Sequence, residues 1–191
     1  MVSHKKGQEA HNGISEAPLN VFTVGHSTRS GEEFVQILKA HGVEVLVDVR
    51  TFPGSRRYPQ FNRDALSETL AQAGIRYKHE PRLGGRKAPR ADSHNTAWRN
   101  PQFRGYADHM ETEVFRKGVE DLLELARDAR VVVMCAEAVW WRCHRSLLAD
   151  YLKARGHTVL HILNDKKIEE HPFTPVARIV DGELSYRGLL G

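Results

Sequence analysis

Short apolar runs alternate along the chain with amphipathic stretches. Val21 to Gly25 ("VFTVG") is apolar and predicts a strand, as do "VEVLVDVR" (43–50), "IRYKHEP" (75–81), "RVVVMCA" (130–136) and "HTVLHIL" (157–163). The second run is nearly all β-branched at its apolar positions, which predicts burial on both faces. Between the runs the period changes to that of a helix. Ser30 with Glu33 makes a capping box, Phe34, Ile37 and Leu38 share one face, and Gly42 closes the element. Asp64–Ala73 predicts a helix ended by Gly74. Phe103–Ala129 predicts helix with a break near Gly118, and Ser146–Arg155 predicts another. Residues 176–186 read as a hairpin around Asp181-Gly182.

Strands alternating with helices predict one α/β domain over residues 19–191. Its core is a mostly parallel open sheet of about five strands with helices on both faces. Residues 1–18 are polar and predict a disordered tail. Residues 82–100 hold Gly, Pro, Arg and Asn without hydrophobic period; a loop of that length in a compact domain is often functional.

Composition narrows the setting. A chain of 191 residues buries a sizeable core in one domain. The first residues lack the apolar segment of a secretory signal, no apolar run reaches membrane length, and there are only two cysteines. These features predict a cytoplasmic protein with free thiols and no membrane partner. The glycine spacing excludes a dinucleotide fingerprint and a Walker loop.

Charge is unevenly placed. Residues 50–104 carry twelve Lys or Arg, ten of them Arg, against four Asp or Glu. Read blandly, that is a solvated basic face. Read functionally, it points to an anionic small molecule or a nucleic acid, because arginine contacts phosphate or carboxylate bidentately.

In an open parallel sheet, ligands bind beyond the carboxyl ends of the strands. The polar residues gather at those ends: His26 and Ser27 after the first strand, Asp48, Arg50, Ser55 and Arg56 at and beyond the second, Cys135 and Glu137 at the fourth. The candidate catalytic set is Cys135, Glu137, His26 and Asp48. The candidate binding set is Arg50, Ser55, Arg56, Cys143, His144 and Arg145. The structural alternative has His26 and Asp48 capping turns and Arg50 pairing with Glu137.

The stretch "CAEAVWWRCHR" (135–145) leaves several readings open. Cysteines eight apart with an adjacent His144 do not match zinc spacing. A disulfide needs a close backbone approach. A strand end running through a loop into a helix suits a thiolate, yet a cysteine-phosphatase loop needs arginine where Trp141 stands. Cys135 as a small buried hydrophobe is the remaining reading. Trp140 and Trp141 read either as core or as a stacking platform for a base.

Several motifs taken together resemble the bacterial domain-of-unknown-function family number 488: "TVGHSTRSGEEFVQIL", "DVRTFPGSRRYPQFN", "LGGR", "NTAWRNPQFRGYADHM" and "CAEAVWWRCHRSLLADYL". The resemblance spans roughly residues 21–163. It implies an intracellular α/β domain and shared motif residues His26, Ser27, Asp48, Arg50, Pro53, Ser55, Arg56, Cys135, Glu137, Cys143, His144 and Arg145. It implies no settled activity, although some members carry a DNA-repair label.

The leading functional expectation is an enzyme that binds a phosphate-bearing or other anionic substrate, with Cys135 as the reactive centre. The alternatives are a non-catalytic nucleic-acid-binding module, with Trp98, Trp140 and Trp141 stacking on bases, and a metal-binding protein using Cys135, Cys143, His144 and His26. The sequence specifies no cofactor.

Overall fold

The structure is a computed structural model, and it describes residues 17–188. The expected disordered tail falls almost entirely on residues 1–16, outside the described residues.

Five parallel strands form the sheet: β1 (Asn20–Gly25), β2 (Val45–Asp48), β3 (Arg76–His79), β4 (Val131–Cys135) and β5 (Thr158–Ile162). A sixth, β6 (Ile168–Glu170), adds antiparallel to β5 at the edge, so the order is β3-β2-β4-β1-β5-β6. This strand was not expected, because its three residues "IEE" have no hydrophobic signature. The tail hairpin forms as expected from β7 (Arg178–Val180) and β8 (Glu183–Ser185), with Asp181 and Gly182 both at positive φ, 52° and 81°.

Helices cover both faces. Helices α1 (Gly31–Ala40) and α2 (Arg63–Gln72) bury Phe34, Ile37, Leu38, Leu66 and Leu70 on one face, against Phe22, Leu46, Val132 and Met134. Helices α3 (Pro101–Met110), α4 (Glu113–Asp128) and α5 (Arg145–Ala154) cover the other, against Val45, Val47, Val131, Val133 and Cys135. Alternate residues of β2 and β4 serve opposite faces, which explains why these strands read as unbroken apolar runs.

Ser30 caps α1 as expected, its Oγ accepting from the Glu33 amide. The break expected near Gly118 lies instead at Glu111–Thr112. There the Thr112 hydroxyl accepts from the Phe115 amide and starts a new helix. Gly118 stays helical because it packs against Leu83, where a β-carbon would lie 3.0 Å from Leu83 Cδ2.

The topology creates a crevice. β1 and β4 are neighbours, but α1 follows β1 onto one face while α5 follows β4 onto the other. The two backbones separate above their carboxyl ends after a last pair of bonds, His26 N to Cys135 O and Ser27 N to Ala136 O, each 3.0 Å. The approach is so close that a β-carbon on Gly25 would lie within bonding distance of the Glu137 carbonyl oxygen, so only glycine fits.

The 82–100 segment is not slack. Buried Asp108 of α3 accepts from the Arg90 amide (2.8 Å), Ser93 Oγ (2.6 Å) and Asn95 Nδ2 (2.8 Å). Burial acts to raise the Asp108 pKa, but these hydrogen bonds outweigh it and hold the carboxylate below its ordinary range. Replacing Asp108 with Ala should therefore cost about 2–4 kcal/mol, since three donors lose one acceptor. The contribution of Asp108 to wild-type stability is present above the ordinary carboxylate pKa and fades as pH falls through the lowered folded value. Urea melts of both proteins, with limited proteolysis of residues 86–97, check this. An unchanged midpoint would show that the loop does not depend on Asp108.

Candidate functional site

A cleft of about 550 Å³ opens at the carboxyl ends of β1, β2 and β4. Of the residues expected there, His26, Arg50, Ser55, Cys135, Glu137, Cys143 and His144 line it. Asp48, Arg56 and Arg145 do not. Arg56 is exposed on the loop outside the cleft. The other two are buried beneath it, for different reasons.

Asp48 is fully buried and grips Arg50 bidentately: Arg50 Nε donates to Oδ1 (2.8 Å) and Nη2 to Oδ2 (2.6 Å). Tyr77 OH also donates to Oδ2 (2.7 Å), so Asp48 is occupied as an acceptor. The expected alternative pairing of Arg50 with Glu137 does not occur; Asp48, two residues away, takes it. Arg50 Nη2 also donates to the Phe61 carbonyl, and Nη1 reaches His26 Nε2 at 3.4 Å. An arginine can only donate, so His26 Nε2 accepts and its Nδ1–H donates to the Ser27 carbonyl (2.9 Å). Burial first, and the Arg50 charge with it, pull the His26 pKa down to about 4, leaving a neutral ring stacked on Phe61 at 4.2 Å. Ser27 beside it has φ 55°, a left-handed conformation uncommon for a residue with a β-carbon.

The cysteines meet. Cys135 Sγ and Cys143 Sγ are 3.0 Å apart, both are buried, and both are free thiols. A 3₁₀ turn at Trp140–Arg142 reverses the chain and brings the residue at the start of α5 back onto the end of β4. Cys143 Sγ also lies 3.4 Å from His144 Nδ1. The neighbouring loop can seat there because Gly85 has no side chain: a β-carbon would lie 2.3 Å from the His144 ring.

Arg145 lies beneath the pair, 1% exposed. Its Nη1 donates to Thr23 Oγ1 (3.2 Å) and its Nη2 to the carbonyls of Glu137 and Ala138, while its Nε has no hydrogen-bond partner. Among the described residues, no carboxylate pairs with it. Burial acts to lower the Arg145 pKa, but its interactions with the two cysteine sulfurs outweigh it and raise the value. The two thiols move apart. Burial and the bond to Cys143 push Cys135 up. The hydrogen bond from Cys135 brings Cys143 down against burial, aided by His144 and Arg145. Of the two thiols, Cys143 is thus the one held down and Cys135 the one held up. Glu137 contributes its main chain here, and its carboxylate is exposed.

Sequence reasoning missed several members of the cleft. Phe52, 68% exposed, carries Arg86 over its ring at 5.5 Å, and Arg142 lines the same cleft. Behind the cleft lining, fully buried Tyr106 of α3 packs against His144 with ring centroids 5.0 Å apart. Arg86 was hinted at only indirectly, by the basic count of residues 50–104, the 82–100 segment and the "LGGR" motif. The tryptophans divide: Trp140 is buried and stacks on His161, Trp98 packs against Phe103 and Tyr186, and Trp141 alone is largely exposed. The basic segment is also partly internal, since Lys78, Arg82 and Arg90 join Arg50 in binding carboxylates. Among the described residues, no three His, Cys, Asp or Glu converge as a metal site, and no helix is long and apolar enough to cross a membrane.

The family model described as Domain of unknown function DUF488 matches residues 30–152. This span includes Asp48, Arg50 and both cysteines but begins after His26 and Ser27. Neither the curated proteins nor the solved structures contain a match to the chain.

The two thiols should differ in solution. Iodoacetamide should label Cys143 well below pH 8.5, where an ordinary thiol ionises, while Cys135 stays unlabelled until higher pH. Mass spectrometry of the two peptides across pH 5–10 reads this directly. Equal labelling of both cysteines, each near pH 8.5, would show that the pair holds no shared charge.

Proposed function

The chain belongs to the DUF488 family, and from that premise and the cleft chemistry we propose that it is an enzyme using Cys143 as a thiolate nucleophile on an anionic substrate. The observation that carries this reading is the 3.0 Å contact of two buried thiols above an arginine without a carboxylate. Burying an uncompensated guanidinium is costly. A thiolate that shares the charge offsets that cost and supplies a nucleophile at neutral pH. The nucleophile in this reading is Cys143 rather than the Cys135 that the strand-end argument favoured, because burial and the contact between the sulfurs push the Cys135 thiol up while the same contact brings Cys143 down.

Roles follow from position. Cys143 attacks an electrophilic centre of the substrate, a bond to sulfur forms, and the leaving group departs with its electron pair. Cys135 is the nearest proton source. Arg142 and Arg86 draw the anion into the cleft. Arg50 contributes less charge because Asp48 already neutralises it, though its Nη1 faces the neutral His26. The exposed Phe52 under Arg86 suits a substrate with a flat π face beside its negative group, as in a nucleotide.

That same Phe52–Arg86 pair favours one second reading, a nucleic-acid-binding module without chemistry. Its signature is single-strand binding that weakens steeply with salt and survives Cys143→Ala.

Iodoacetate and iodoacetamide differ in charge but react alike with thiolates, so their rate ratio at Cys143 measures the pull of the cleft on anions. The ratio should exceed that of glutathione several-fold at low salt, and it should fall in Arg142→Ala and Arg86→Ala and at high ionic strength. A panel of activated aryl phosphates and esters should leave a covalent adduct on the Cys143 peptide, absent in Cys143→Ser. A ratio no higher than glutathione's would end the anion reading. An intact Cys143 thiol after the whole panel would end the nucleophile reading.

A further inference from the structure

The contact of Arg145 with Thr23 is the first link of a buried chain. Thr23 Oγ1 lies 2.6 Å from His161 Nδ1, His161 Nε2 lies 2.9 Å from His171 Nδ1, and His171 Nε2 lies 2.9 Å from Asp150 Oδ1. Asp150 also accepts from the Thr174 amide (2.9 Å), Thr174 Oγ1 and Tyr186 OH (2.7 Å). Thr23, His161, His171 and Asp150 are each at most 2% exposed. Trp140 lies flat on His161, with centroids 4.4 Å apart and an 8° interplanar angle, and edge-on to His171. The links come from β1, β5, the residue after β6, and α5.

Chemistry at the two ends gives the chain a direction. Arg145 can only donate, and the Asp150 carboxylate can only accept. Thr23 accepts from Arg145, so its one proton goes to His161 Nδ1. His161 must then donate from Nε2 to His171 Nδ1, and His171 must donate from Nε2 to Asp150. Every proton has one acceptor. The reverse direction would make Thr23 accept twice and leave its own proton without a partner among these contacts. Both rings are neutral in this arrangement, and burial, with His171 and Arg145 adding to it, pulls the His161 pKa down to about 2.

We propose that the chain Thr23–His161–His171–Asp150 is a positioning device that holds the Arg145 guanidinium on the Cys135–Cys143 pair and so keeps the negative charge on sulfur. It rests on the reading of Cys143 as a thiolate. Asp150 lies one and a half turns along α5 from Arg145 and anchors the far end of the chain as an acceptor. The chain fixes the Thr23 hydroxyl as an acceptor toward Arg145 without placing a carboxylate beside the thiols, where it would raise their pKa. The groups that face Cys143 are Cys135 from β4, His144 and Arg145 at the start of α5, and Tyr106 from α3. None of them belongs to the chain, so these residues act on Cys143 only through Arg145.

Two substitutions cut the chain while keeping shape. Thr23→Val removes the hydroxyl, and His161→Phe keeps a ring on Trp140 but removes both nitrogens. Thr23→Ser keeps the link. The test is the pH profile of Cys143 alkylation by iodoacetamide in the full chain, with circular dichroism and thermal melts on the same samples. Thr23→Val and His161→Phe should each shift the Cys143 profile up by about one pH unit, with labelling near pH 7 about tenfold slower, and Thr23→Ser should track the wild type. Should Thr23→Val fail to fold, His161→Phe and Thr23→Ser still decide. A folded His161→Phe with the wild-type profile would overturn the proposal and leave the chain as core packing. A wild-type Cys143 that titrates as an ordinary thiol would instead remove the nucleophile reading, and this one with it.

Discussion

Arg145 carries a positive charge at 1% exposure, and the groups that meet it are carbonyls, one hydroxyl and two sulfurs. A buried cation needs compensation, and carbonyl dipoles supply only part of it. The rest falls to the thiol pair. One contact thus constrains its surroundings in three directions. It lowers the pKa of Cys143, it holds the main chain at Glu137–Ala138 over Gly25, and it takes a lone pair from Thr23 on β1. The cleft floor is the surface of this arrangement.

Arg50 and Asp48 show the opposite solution a few residues away. There a carboxylate meets a guanidinium bidentately, the charges cancel within the protein, and Arg50 serves mainly to brace the loop through the Phe61 carbonyl and to hold His26 neutral. The two arginines are both buried and both near the cleft, yet only the one without a carboxylate lies against the thiols. Electrostatic function here follows from missing compensation rather than from the count of charges.

The sheet topology makes the pairing possible. Because the chain leaves β1 for one face and β4 for the other, the space above these two strands stays open, and α5 begins at its rim. Cys135 points toward the face that α5 covers. A one-residue change of register in β4 would turn it toward α1 and α2 and away from Cys143. The separation of the cysteines in sequence, across a loop and a 3₁₀ turn, is spanned by the fold.

The alternation of apolar runs and amphipathic stretches determined the α/β class, the five parallel strands, the Ser30 cap and the tail hairpin, because these depend on local periodicity and on turn residues. It also put His26, Arg50 and Cys135 at strand ends, where an open parallel sheet collects its polar groups. β6 escaped, having three residues and no apolar pattern, and so did the helix break at Thr112, where a cap outweighs a glycine. Which strand-end residues face the cleft was a tertiary matter. Asp48 and Arg145 belong to the same motifs as Arg50 and Cys143, but strand register and the start of α5 turn them inward. The meeting of Cys135 with Cys143, and the chain from Thr23 to Asp150, join residues up to 138 positions apart. Such contacts leave no period and no motif in a single sequence, because the force that selects them, compensation of charge in a buried space, exists only once the space has closed.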